Sequence, residues 1–135
     1  MTIRAHADAV LALLQAAPGS LKVLDGAVPK DGVPPYVLVY FADVDPELPD
    51  SRALEGTSER FVLRVYAHCV GENSATTRAL GERVRTALLD VVPTVTGRVC
   101  WPIRREDGQP PQRNESTGTL IMDRVDVYRL ESVPA

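Results

Sequence analysis

One stretch, Ser58 to Val70, constrains the fold of this chain more than any other. In it Phe61, Leu63, Val65, Ala67 and Cys69 alternate with Arg64, Tyr66 and His68. Successive side chains on a strand point to opposite faces, so a period of two requires a strand with one apolar face and one wetter face. The apolar face needs a cover, and two segments have the period to provide it. Ile3, Ala7, Val10, Leu11 and Leu14 recur at three- and four-residue steps, which predicts a helix with Thr2 as N-cap and Pro18-Gly19 as its end. Leu80, Val84, Ala87, Leu88 and Val91 form a second such stripe, opened by Asn73 or Ser74 as cap. Gly81 within it costs about 1 kcal/mol against Ala, and close packing on the sheet is the expected reason. His6 is placed on the flank of the first helix.

The remaining strands have weaker signatures. Leu21 to Leu24 is a short extended run in a hairpin-like region, with turns at Asp25-Gly26 and Lys30-Asp31-Gly32. Tyr36-Val37-Leu38-Val39-Tyr40-Phe41 is apolar on both faces and belongs in mid-sheet. Residues 97–103 read as a strand whose Pro102 implies an edge or a bulge. The last strand, Thr119 to Glu131, has its apolar start interrupted by Asp123-Arg124, the expected place of a bulge.

Two polar stretches separate these elements. Residues 42–57 carry Asp43, Asp45 and Glu47, but Leu48 and Leu54 stand where a calcium loop needs Gly and a bidentate Glu, so a solvated loop is expected. Residues 104–118 are rich in Arg, acid, Pro and Gly, and a mobile loop is expected there in the free subunit. The order is therefore α-β-β-β-α-β-β. This predicts a single α+β domain over residues 1–135, with a mostly antiparallel sheet of about five strands and both helices on one face.

Composition narrows the function classes. A 135-residue chain with 44% apolar and 24% charged residues can bury one core without staples. Its net charge of −3 lacks the basic excess of a non-specific nucleic-acid binder. The basic residues are 13 Arg and 2 Lys, a bias that suits protein interfaces but also follows from a high-GC genome. No apolar run has signal-peptide or membrane-spanning length, which predicts a protein made and used in a cytoplasm. Cys69 and Cys100 match no zinc spacing and are expected to be reduced.

No catalytic signature emerges. Gly-x-Ser-x-Gly, His-Glu-x-x-His and the Walker Gly-Lys-Ser/Thr motif are all missing from the sequence. His68 and Cys69 are strand neighbours on opposite faces and cannot pair side chain to side chain. Asp123 and Asp126 likewise fall on opposite faces. No enzyme activity, cofactor or metal is expected, and Trp101 is read as a packing or interface anchor.

Several segments, taken in order, resemble a known family. They are Val23-Leu24-Asp25-Gly26-Ala27-Val28-Pro29, Pro35 to Tyr40, Arg60 to Gly71, an Arg-bearing helix ending in Leu88-Leu89, Val95-Thr96-Gly97-Arg98 and the ending from Asp123 to Tyr128. Together they resemble the tail-terminator (minor tail) proteins of long-tailed phages, particularly those of actinobacteria. The resemblance implies a structural protein of the virion, at the junction of tail and neck, that forms a six-membered ring on the finished tail tube. Such a ring ends tube growth and offers the head a docking surface. The implied partners are further copies of the chain, the major tail tube protein and a head–tail connector or stopper protein, with no membrane and no sequence-specific nucleic acid. The interface candidates are Arg64, Tyr66 and His68 on the wetter strand face, and Arg104, Arg105 and Arg113 in the second polar stretch. Another head–tail connector or tail-completion protein is the nearest alternative, and a small cytosolic enzyme or ligand-binding domain the more distant one.

Overall fold

The computed structural model describes residues 2–19, 21–30, 32–44, 60–114 and 121–135. In chain order the elements are α1 (Thr2–Gln15), β1 (Val23–Asp25), β2 (Tyr36–Val44), β3 (Phe61–Gly71), α2 (Ser74–Leu88), β4 (Arg98–Cys100), β5 (Arg104–Gly108), β6 (Gln112–Asn114) and β7 (Ile121–Pro134). All strands join one sheet in the order β1-β2-β3-β7-β4, with β5 and β6 also paired to β7. β3 lies at its centre, antiparallel to β2 from Tyr36↔Val70 to Val44↔Val62 and to β7 from Phe61↔Ser132 to Gly71↔Met122. Its alternation is realised as expected: Leu63, Val65, Ala67 and Cys69 are fully buried beneath the helices. Val10 and Leu14 of α1 and Leu80, Val84 and Leu88 of α2 close over them, together with Val37, Val39, Tyr128 and Leu130. The expected α+β fold, with a mostly antiparallel sheet and both helices on one face, is the fold observed.

Local chemistry explains the helix ends. Asn73 caps α2, its side chain accepting a hydrogen bond from the Thr76 amide at 2.9 Å. α1 already includes Thr2, so the helix begins one residue earlier than a Thr2 cap implies. Gly81 faces the sheet, where a Cβ would sit 3.3 Å from Asp126 Oδ2, so close packing is the reason for a glycine there. Beyond α2, Asp90 adopts a left-handed φ of 64°. Its amide donates to the Ile103 carbonyl at 2.8 Å, and the Ile103 amide donates to Val91 at 2.9 Å, which draws Ile103 into the core.

Four expectations need correction. Among the described residues the sheet has seven strands rather than about five, because residues 104–114 are not a loop. From Arg98 to Asn114 the chain forms one interrupted edge strand, antiparallel to β7 from Pro134 back to Ile121. Pro102, Pro110 and Pro111 lack the amide donor a ladder needs, and the breaks fall at them. β5 has no apolar period because it lies at the edge, where the backbone ladder and ion pairs hold it in place. Residues 115–118 of the expected loop, like residues 45–57 of the acidic stretch, lie outside the described residues.

The bulge is also elsewhere. β7 keeps its register with β3 through Asp123 and Arg124, and the irregularity lies between Arg105 and Asp107 of β5. The segment from Leu21 to Phe41 is not a hairpin, since β1 pairs with β2 in parallel, Val23 opposite Val37. The connection leaves β1 at Gly26, whose φ is 73°. It then folds against the sheet face away from the helices, with Val28, Pro29, Val33 and Pro34 beside Tyr36, Leu38 and Val70. Finally, His6 is no flank residue: it is fully buried, its Nε2 2.7 Å from Ser132 Oγ and its ring 4.5 Å from that of Phe61.

Candidate assembly interface

The helices leave one face of the sheet without a helical cover, and the strand registers set what it displays. β2 presents Tyr36, Leu38, Tyr40 and Ala42; β3 presents Val62, Arg64, Tyr66, His68 and Val70; β7 presents Asp123, Val125, Val127, Arg129 and Glu131. The charged members form a row that alternates in sign. Arg60 pairs with Glu131, Glu131 with Arg129 at 3.3 Å, Arg129 with Glu106 at 3.0 Å, and Glu106 with Arg64 at 2.8 Å. Each of these side chains is between 21% and 28% exposed, so the row is partly dehydrated yet open to a partner.

The environment fixes these arginines as cations. The Arg64 pKa is raised, first by its hydrogen bond with Tyr66 and further by Glu106. Burial works against the Arg129 charge, but its bonds with Glu106 and Glu131 outweigh that and raise its pKa as well. Beside the charged row lies an aromatic step. Tyr40, 43% exposed, meets the His68 ring edge-on at 5.5 Å, and His68 Nδ1 lies 3.2 Å from both carboxylate oxygens of Asp123. Burial, and then the Asp123 charge, raise the Tyr36 pKa, so that phenol stays neutral.

Of the sequence-predicted interface residues, the structure brings Arg64, Tyr66 and His68 together in one row on this face. The arginines of the second polar stretch go elsewhere. Arg104 pairs with Asp90 beyond the end of α2. Arg105 points to the helix side and meets the buried Asp126 at 2.7 Å, with Arg124 3.4 Å away on the same carboxylate. Arg113 is exposed on β6 opposite Met122. Arg60, Glu106, Arg129 and Glu131 were not singled out in the sequence; the odd-numbered alternation of β7 from Asp123 to Glu131 is the signal that could have found Arg129 and Glu131.

Among the described residues no three His, Cys, Asp or Glu side chains are grouped to hold a metal. No helix among the described residues is long and apolar enough to cross a membrane. Cys69 and Cys100 are free thiols on the helix side, and burial, with a smaller push from Asp126, raises the Cys69 pKa to about 12. Two open clefts are lined by described residues. One of about 400 Å3 lies between the helices at Leu13, Ala17, Arg83 and Ala87, and one of about 550 Å3 lies on the helix-free face at Val33, Tyr36, Leu38 and Asp123.

With this geometry in place, comparisons give it a context. The model of the family described as Tail completion protein gp17 matches residues 1–118. Among solved structures, a chain from the virion of a native gene transfer agent particle superposes with a TM-score of 0.56 at 18% identity. That match covers 93% of this chain and 84% of the other. A second solved chain matches with a TM-score of 0.55 at 15% identity, over 96% of this chain and 91% of that one. At such identities the likeness is one of fold. No curated protein sequence matches.

Proposed function

Because this chain belongs to the Tail completion protein gp17 family, and so to the phage virion tail, we propose that it acts there as a terminator. Several copies cap the tail tube as a ring, tube growth stops, and the outer side of the ring receives the head connector. The observation that carries this reading is the helix-free sheet face. Partly exposed ion pairs add little to stability, so a row of five such charges beside Tyr40, Tyr66 and His68 supports a role in contact with other chains. Arg64, Tyr66 and His68 are its central contacts, with Arg104, Arg105 and Arg113 supporting the edge strand that flanks it. The function is structural rather than enzymatic, and its partners are further copies of itself, the tube protein and a connector. The ring is proposed to be sixfold, as the tail-terminator resemblance implies.

The test is deletion of the gene followed by electron microscopy of the lysate. A terminator leaves tails of uncontrolled, excessive length that carry no heads. Tails of normal length that fail only at head joining would overturn the terminating role and leave a connector role.

A further inference from the structure

Of the six exposed large apolar side chains among the described residues, four occupy two corners of the helix-free face. At one corner Val99, 55% exposed, pairs with Val133, and the amide of Trp101, 48% exposed, donates to the Glu131 carbonyl at 2.9 Å. Residues two apart on an extended edge share a face, so both side chains stand together beside Glu131 and Val133. At the other corner Val28 and Val33 rim the cleft of about 550 Å3, whose floor is Tyr36, Leu38 and Val70 and whose wall includes Asp123. The two corners are diagonal. One lies at the start of β7 on the β2 side of the sheet, the other at its end on the β4 side. From Asp123 to Val133 the strand runs roughly 33 Å at about 3.3 Å per residue, too far for one corner to cover the other within a subunit.

We infer that Trp101 and Val99 of one copy insert into the Val28–Val33 cleft of the next copy, as the repeating head-to-tail contact of the assembly; this rests on the ring reading. Two different complementary patches on one chain make a heterologous contact, the kind that generates rings when its rotation closes. The chemistry of the cleft fits an indole. Apart from Lys30 and Asp123 its lining is mostly apolar, and a buried indole N–H needs one acceptor, which the Asp123 carboxylate supplies. That carboxylate meets His68 Nδ1 at 3.2 Å and retains unused lone pairs. The rim is already shaped, because the Gly32 amide donates to Pro29 O at 2.8 Å and Pro34 and Pro35 follow, so little ordering is left to oppose binding. A cleft of this size exceeds one side chain, which is why Val99 enters with the indole.

Trp101 is the single tryptophan of the chain and therefore reports on its own burial. The experiment follows its emission and acrylamide quenching while the full-length protein assembles, at rising concentration and on purified tail tubes, with copy number measured by sedimentation or microscopy. The expected result is a blue shift and loss of quenching in step with multi-copy assembly. Val33→Asp, at a position 64% exposed and so neutral to folding, abolishes both while leaving the melting temperature unchanged. Trp101→Ala, followed by sedimentation, weakens the subunit contact by roughly thirtyfold or more, the loss expected for a buried aromatic anchor. Rings in which Trp101 quenches as in the monomer overturn this contact and leave the ring standing. A single copy per tube, with or without a shifted Trp101, overturns the ring and this contact with it.

Discussion

The two faces of the sheet are built from the same strands and handle polar groups in opposite ways. On the helix side the buried His6 meets Ser132 and the buried Asp126 lies between Arg105 and Arg124. Around them the core is mostly apolar, from Leu63 and Val65 to Leu130. On the other face the charges pair mainly with each other and stay partly exposed. Burial of apolar area stabilises a fold, whereas partly exposed ion pairs contribute little to it. One face therefore holds the subunit together, and the other remains available for contact with other chains.

Neighbouring residues on β7 test that division most strongly. Leu130 is fully buried under the helices and Arg129 lies in the charged row. Leu130→Ala is expected to cost about 2–5 kcal/mol in urea denaturation, the range for a buried leucine. Arg129→Ala is expected to cost at most about 1 kcal/mol. Equal losses would break the comparison.

The next effect is smaller and lies where the two regimes meet. Arg105 reaches from the exposed edge strand to the Asp126 carboxylate, which is only 2% exposed. Arg105→Ala leaves that carboxylate with Arg124 alone at 3.4 Å, and a loss of about 1.5–3 kcal/mol is expected. Amide exchange should quicken first in β5, whose backbone has no apolar side chain to anchor it. Exchange unchanged there would show that the ladder to β7 holds the edge without the ion pair.

These regions also differ in how far they were legible in the sequence. Burial imposes a period, so β3, β2 and α2 stood out, and parity alone put Arg64, Tyr66 and His68 on one face. β5 and β6 did not stand out, because an edge strand held by ladder and ion pairs has no apolar rhythm, and its Arg-Arg-Glu-Asp-Gly run is that of a loop. The direction of β1 is set by a connection that packs on the sheet, which three residues cannot encode. The partners of His6 and Gly81 are far away in the chain: Ser132 is 126 residues from His6, and Asp126 lies under Gly81 only once the sheet has formed. Trp101 stands out in the sequence as the single tryptophan, whereas the cleft at Val28 and Val33 takes shape only with the fold.

A third measurement sharpens the buried side through pH. The Tyr128 hydroxyl is fully buried and makes no hydrogen bond among the described residues. Burial above all, and then Asp126, raise its pKa from 10.0 to about 12, as burial does for Cys69 from 9.0 to about 12. Below about pH 8 both groups are neutral whether folded or unfolded, and this contribution to stability is complete. As pH rises towards 12 the unfolded chain gives up these protons first, so stability falls. Tyr128→Phe removes one of the two groups and should flatten the alkaline limb above pH 10. At neutral pH it should leave stability unchanged or raise it by up to about 1 kcal/mol, since no bond is lost. A clear loss at neutral pH would reveal a partner for the hydroxyl.

The smallest effect on stability is expected at Arg64, the centre of the exposed row. Its side chain is 28% exposed and pairs with Glu106, itself 23% exposed, so water screens much of the attraction. Arg64→Ala should change the unfolding free energy by less than about 0.5 kcal/mol. Its effect on assembly should be out of proportion to that. Tyr66 and Glu106 keep the guanidinium charged, so its contact with a partner should weaken with salt rather than respond to mild changes in pH. Arg64→Lys keeps the charge but loses the planar fork that grips a carboxylate at two points, and should rescue assembly only in part. The check is a melting curve beside a complementation titre for each variant. An unchanged melt with a titre that falls for Arg64→Ala and partly recovers for Arg64→Lys is the result expected of a contact face. A normal titre for Arg64→Ala would instead mean that the charged row serves solubility alone, and the division of labour between the two faces would have to be abandoned.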